Sequence, residues 1–291
     1  MKGFSVEQYI TVYHQKKQID LEYKIPDWPG EHNRQIRVMF PLNMEKSAQI
    51  SYDVPMGMVH VGKDELTMRP GGSAWGGTYL QKSEEIHPRE IQNFMTANGK
   101  GLGFTMSTNV VTADWVDPSM SSPDYPVINS VLLSTHKSCH GEGNWYHQKG
   151  SHTFKFSITS HDEGWKNGFH FGVESNHLLR PIVKANKQKG ELPSEKSFVS
   201  TSNPFSVITT IKKAEDDKDV VLRIMEAEGI NKSIKVNLDQ EVEKISKTDP
   251  YRFGRGTAQF QVCPAGKIGH RDIRGVTPPA HHQRRQLYPD Q

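Results

Sequence analysis

Apolar residues recur at every second position through most of this chain. Ile19, Leu21, Tyr23 and Ile25 alternate with Asp20, Glu22 and Lys24. The same spacing links Ile36, Val38 and Phe40, then Phe154, Phe156 and Ile158, then Phe169, Phe171 and Val173. It returns in Val220, Leu222 and Ile224, in Ile234, Val236 and Leu238, and in Ala258, Phe260 and Val262. Successive side chains of a strand point to opposite faces, so this pattern puts one face on a core and one in water. That is the habit of antiparallel sheets. Turn signals punctuate the runs: Trp28-Pro29-Gly30, Pro70-Gly71-Gly72, Gly76-Gly77, Asp117-Pro118 and Asn167-Gly168. No segment keeps a helical period beyond about three turns. Residues 83–98 fit neither period cleanly, and Pro88 in their middle opposes a helix. The expectation is an all-β protein built as sandwiches.

With 291 residues the chain can hold two domains. The stretch KANKQKGELPSEK is polar, lysine-rich and broken by Gly190 and Pro193, the composition of an exposed linker. The expected division is a large sandwich over 1–185, a linker over 186–196, a small sandwich over 197–265 and an irregular tail over 266–291. The tail carries the pair His281-His282, read as solvated rather than metal-binding.

Charge and hydropathy narrow the partners. Basic and acidic residues number 36 and 33 and are scattered, so no electrostatic case for nucleic acid arises. Mean hydropathy is −0.67, and no run approaches the roughly 20 apolar residues of a membrane helix. The opening MKGFSVEQYITVYHQ lacks an apolar stretch of signal-peptide type. No membrane partner is expected, and no compartment is indicated. The cysteines are Cys139 and Cys263; their spacing leaves both a disulfide and two free thiols open.

The densest chemistry lies in KSCHGEGNWYHQKGSHTFKFS, residues 137–157. Cys139, His140, Glu142, His147 and His152 are metal-ligand types, but no C-x-x-C or H-E-x-x-H spacing joins them. A Cys–His nucleophile would need an orienting third residue and an oxyanion hole. A third reading is a glycine-rich binding loop. Gly141 and Gly143 let the backbone bend near a ligand, Glu142 and Asn144 offer hydrogen bonds, and Trp145 and Tyr146 offer flat faces suited to sugar rings. Against it stands the reading that both aromatics are core residues.

Two further clusters attract interest. EEIHPREIQNFM, residues 84–95, holds His87, Arg89 and Glu90; Arg89 could pair with Glu90 or aim at a sugar or a neighbouring domain. SHDEGWKNGFHFG, residues 160–172, places His161, Asp162 and Trp165 in an expected strand-to-strand loop. Glycoside hydrolysis needs two facing carboxylates, and Glu90, Asp114, Asp117, Glu142 and Asp162 are the candidates. Spacing alone does not pair them.

Several segments resemble the C-terminal region of glycoside hydrolase family 38, the α-mannosidases. They are AQISYDVPMGMVHVG (48–62), HPREIQNFM (87–95), KSCHGEGNWYHQKGSHTFKFSITSH (137–161), GWKNGFHFGVESNHLLRPIV (164–183) and SFVSTSNPFSVITTIKKAEDDKDVVLRIMEAEG (197–229). The likeness spans roughly residues 20–262. It implies a large antiparallel sandwich of the supersandwich, galactose-mutarotase-like kind, followed by a small C-terminal β-sandwich. It also implies carbohydrate as ligand and, as partner, an upstream catalytic barrel of the same protein. Zinc or another divalent ion is expected in that barrel and no cofactor in this chain. No His-x-Asp motif followed by barrel-like units occurs here, so no catalytic and no metal residue is carried over. The sugar-proximal candidates are Arg89, His140, Glu142, Asn144, Trp145, Tyr146 and Trp165. After Val262 the sequence departs from the family's closing strand.

Overall fold

A computed structural model describes residues 4–55, 57–65, 87–119, 124–138, 141–185, 189–215, 218–230, 233–239, 242–248, 257–264 and 272–273. The alternating runs are strands, and every pairing whose register is described is antiparallel. Contacts divide the chain between Pro181 and Ile182 into two compact units, with residues 56–58 counted in the second.

The first unit contains β1 (Glu7–Val12), β2 (Ile19–Trp28), β3 (Arg34–Pro41), β4 (Gln49–Val54), the last two residues of β5 (Gly57–His60), β6 (Arg89–Glu90), β7 (Phe94–Gly99), β8 (Leu102–Thr108), β9 (Thr112–Asp114), β10 (Val127–Lys137), β11 (Trp145–Tyr146), β12 (Gly150–Asp162) and the helix α1 (Trp165–Glu174). One sheet runs β1-β2-β12-β8-β7-β4-β5; the other runs β11-β10-β9-β6, with β3 also on β10. Register follows the hydrophobic pattern. Leu21 faces Phe156 and Tyr23 faces Phe154 across β2 and β12. Phe40 of β3 reaches across to Phe104 and Phe156, with ring centroids 6.0 and 6.1 Å away. Leu21, Ile25, Met95, Met106 and Phe156 of the first sheet therefore share one core with Val38, Ala113, Ile128 and Leu133 of the second. Each fully buried large side chain contributes about 1.5–3 kcal/mol. Residues 83–98 resolve in favour of strands where described, as β6 and β7.

The sequence expectation fails at residues 165–174. The period-two run Phe169, Phe171 and Val173 is not a strand but part of α1, and Trp165 opens that helix instead of sitting in a loop. The reason is packing. Gly168 and Gly172 stand one turn apart on the face that meets the sheet. A Cβ on Gly168 would lie 2.1 Å from Thr105 Oγ1, and one on Gly172 would lie 2.3 Å from Phe94 Cγ. Two glycines weaken a free helix by about 2 kcal/mol, but here they let it lie against β7 and β8. Phe169, 1% exposed, meets Phe94 edge-on at 6.1 Å. Covered by α1 on one side and the second sheet on the other, β7 is buried from Phe94 to Asn98. Its mixed composition follows from those two different faces.

The second unit contains β13 (Val199–Thr201), β14 (Ser206–Lys213), β15 (Val220–Glu226), β16 (Val236–Leu238), β17 (Val242–Thr248), β18 (Thr257–Pro264) and β19 (Asp272–Ile273). They form a sheet β14-β15-β18-β17 and a smaller one β13-β16-β19. Leu222 and Ile224 of β15 pack with Ile234, Val236, Leu238 and Val242. Residues 189–196 are exposed and carry no regular structure. Of the expected tail, residues 272–273 pair with β16; the remainder, with His281 and His282, lies outside the described residues.

Candidate functional site

The loop 141–149 is shaped by the end of β10. The N–H groups of Gly141 and Gly143 both donate to the Ser138 carbonyl, at 3.1 and 3.0 Å. Ser138 N–H donates to Asn144 O at 3.0 Å, and the chain returns as β11, with Trp145 opposite Lys137 and Tyr146 opposite His136. Gly141 has φ +96°, open to glycine at no steric cost. A side chain at Gly143 would collide with Ser138, its Cβ falling 2.0 Å from Oγ. Sequence and turn are thus matched: Gly-Glu-Gly makes the bend, and Asn-Trp-Tyr is presented beyond it.

Trp145 is half-buried, and its ring is stacked on His32, with centroids 3.7 Å apart and planes 8° from parallel. The Lys137 ammonium lies 5.5 Å from its centroid. Tyr146 is 55% exposed beside His136. Glu142 and Asn144 are exposed, and their side chains hold no hydrogen bond among the described residues. Neither aromatic belongs to the core; that place is taken by Trp28, 2% exposed, whose Nε1 donates to His147 O at 3.2 Å. His147 in turn holds the Gly30 turn, where Pro29, Gly30, Glu31, His32, Arg34, His147 and Lys149 line an open depression. His140 and Cys139 lie outside the described residues, and so does the side chain of Cys263.

The remaining sequence candidates are placed differently. Arg89 pairs with Glu65 rather than Glu90: Nε donates to Oε1 at 2.6 Å and Nη2 to Oε2 at 3.3 Å. Its guanidinium also sits 5.1 Å from the Trp115 ring centroid. Tyr52 donates to the same Glu65 carboxylate at 2.9 Å. Burial, then that carboxylate, pushes the Tyr52 hydroxyl up to about 12. Trp165 packs on Phe169 and His60, each centroid 5.8 Å away.

Of the carboxylates proposed for hydrolysis, Asp114 and Asp117 are engaged within the fold, whereas Glu90, Glu142 and Asp162 are exposed and their side chains hold no hydrogen bond among the described residues. Asp114 is fully buried and accepts from His87 Nδ1 at 2.6 Å, Arg37 Nη1 at 3.0 Å and Trp115 N–H at 2.8 Å. Burial alone would raise its pKa, but the donors from His87 and Arg37 outweigh it and hold the carboxyl below its ordinary range. Asp117 caps its own turn through Ser119. Asp53, missed in the sequence, is spent on Asn93 and Phe94 N–H at 2.7 and 2.8 Å. Its sequence signal is an acid inside the apolar run of β4, matched by the polar Gln92-Asn93 pair just ahead of β7. Among the described residues no group of three or more His, Cys, Asp or Glu converges to hold a metal.

Comparison with known proteins places this architecture. Residues 206–250 match the model of the glycosyl hydrolases family 38 C-terminal beta sandwich domain. The fold is similar to that of an alpha-mannosidase from Enterococcus faecalis V583, with a TM-score of 0.65 and 14% identity, over 89% of this chain and 29% of that one. It is also similar to a protein in the glycosyl hydrolase family 38 from Enterococcus faecalis, with a TM-score of 0.62 and 14% identity, over 93% of this chain and 30% of that one. The chain spans less than a third of the length of either structure. No curated protein matches.

Proposed function

We propose that this chain forms the C-terminal β-domains of an α-mannosidase-like glycoside hydrolase. They brace a catalytic domain contributed by other parts of the protein and do not hydrolyse glycosides alone. The observation that carries the reading is the shared architecture: nearly the whole chain follows less than a third of an alpha-mannosidase, and residues 206–250 match the family's terminal sandwich. The state of Asp114, the one buried candidate among the described carboxylates, supports it, because three donors bind it. A general acid or nucleophile needs an unengaged oxygen facing substrate.

In this reading the loop 141–146 is sugar-facing. Glu142 and Asn144 supply hydrogen-bonding groups, and Tyr146 supplies an exposed ring face beside the Trp145–His32 stack. A self-standing lectin-like module is the second reading, favoured by the same exposed Tyr146. Titration of the labelled chain with methyl α-D-mannopyranoside, followed by amide NMR, tests the sugar-facing role. Shifts confined to residues 142–146 are expected, weak because the site lacks its other wall. Affinity in the micromolar range would favour the lectin reading. Shifts that avoid this loop would remove the sugar-facing role.

A further inference from the structure

Two imidazoles meet at the open depression beside Trp145. His32 comes from the turn after β2 and His147 from the turn after β11; their ring centroids are 5.0 Å apart and their planes 34° from parallel. Nδ1 of His147 lies 3.0 Å from the Gly30 carbonyl oxygen. A carbonyl can only accept, so Nδ1 carries the proton and, in the neutral ring, Nε2 keeps its lone pair. Among the described residues neither ring nitrogen of His32 nor Nε2 of His147 has a hydrogen-bond partner. The stack of Trp145 on His32 covers a ring face and leaves the in-plane nitrogens untouched.

We propose that His32 and His147 together bind one divalent transition cation of the Cu(II), Ni(II) or Zn(II) class, its remaining positions filled by water. The geometry suits it. With a metal–nitrogen distance of about 2.0–2.1 Å and each nitrogen about 1.2 Å from its ring centre, two imidazoles at a tetrahedral angle have centroids about 5 Å apart. The Gly30 contact is the backbone-carbonyl partner that orients metal-binding histidines and fixes their tautomer. Neutral imidazoles suit borderline cations rather than Ca²⁺ or Mg²⁺, which take oxygen. Binding joins the turn after β2 to the loop after β11 and thereby fixes the platform that carries Trp145. The site uses none of the groups assigned to sugar contact, so it stands whether or not that reading holds.

The test uses the chain with His281 and His282 replaced by alanine, to remove a competing pair. Copper(II) chloride is titrated calorimetrically and by tryptophan fluorescence. One equivalent is expected to bind, with electron paramagnetic resonance showing two coordinated imidazole nitrogens. H32A and H147A each weaken binding at least about tenfold. W145F keeps the affinity but loses most of the quenching, because the quenched indole stacks on a ligand. Both histidines lie outside the core, and circular dichroism checks that the variants fold. Unchanged affinity in H32A or H147A, or no stoichiometric binding, overturns the proposal.

Discussion

The Asp114 cluster and the 141–149 loop use similar residue types to opposite ends. Around Asp114, three donors close on one buried carboxylate, and the neighbouring Glu65 is held by Arg89 and Tyr52. On the loop, Glu142 and Asn144 face solvent with no partner among the described residues, and Trp145 stacks on an exposed histidine. The cluster is structure: its polar groups are satisfied by one another, and removing one strands the rest. The loop is surface: its polar groups are unspent and available to a ligand. A list of polar residues cannot separate the two; burial and partner count can.

The sharpest way to break the contrast is Asp114→Ala. It leaves the Arg37 guanidinium, whose side chain is 10% exposed, facing an empty position. The expected loss is about 3–5 kcal/mol in urea denaturation. A loss below 1 kcal/mol would move Asp114 from the structural to the functional column.

Next in size is Gly172→Ala, which drives a Cβ to 2.3 Å from the buried Phe94 ring. The helix must lift or the ring must turn, at about 1–3 kcal/mol. Gly57→Ala, where nothing lies within 4 Å, is the control and should change little.

A smaller effect comes from pH. His161 is wedged between Gly103 and Gly168, with Nδ1 2.7 Å from Asp162 O and Nε2 2.8 Å from Thr105 Oγ1. Burial lowers its pKa below the ordinary 6.5. The unfolded chain therefore binds this proton more readily than the folded one. Its stabilising contribution is complete above pH 6.5 and is lost as pH falls through the depressed folded value. Denaturation midpoints between pH 7 and 5 should fall, and His161→Asn should flatten that slope. His60, also lowered by burial, adds to the slope with the same sign.

The smallest effect belongs to the loop. Glu142→Gln and Tyr146→Ala should each stay within about 0.5 kcal/mol of the parent in the same assay. A larger loss would place these residues in the fold rather than on a rim.

Period two made most of the strands legible, since one face of each strand meets a single core. Leu21, Ile25 and Phe156 are buried where the alternation puts them. It misled at Phe169, Phe171 and Val173 because the glycines that make α1 possible carry no hydrophobic signal of their own. Gly168 and Gly172 matter only against Thr105 and Phe94, residues more than sixty positions away in sequence. The same limit hid the site geometry. Arg89 reads as a neighbour of Glu90, but its carboxylate is Glu65, supplied by another turn. Trp145 reads as aromatic beside glycine, but its stacking partner His32 comes from a turn more than a hundred residues earlier. The unusual local composition of GEGNWY was visible; the contacts that give it a shape were not.

The central claim is that this chain supports glycoside hydrolysis without performing it. The direct measurement is release of nitrophenol from 4-nitrophenyl α-D-mannopyranoside by the purified chain, with and without added zinc. The account predicts no turnover above buffer in either condition. Turnover that persists through repurification and disappears in Glu142→Gln would contradict it, because a working carboxylate would then reside on this loop.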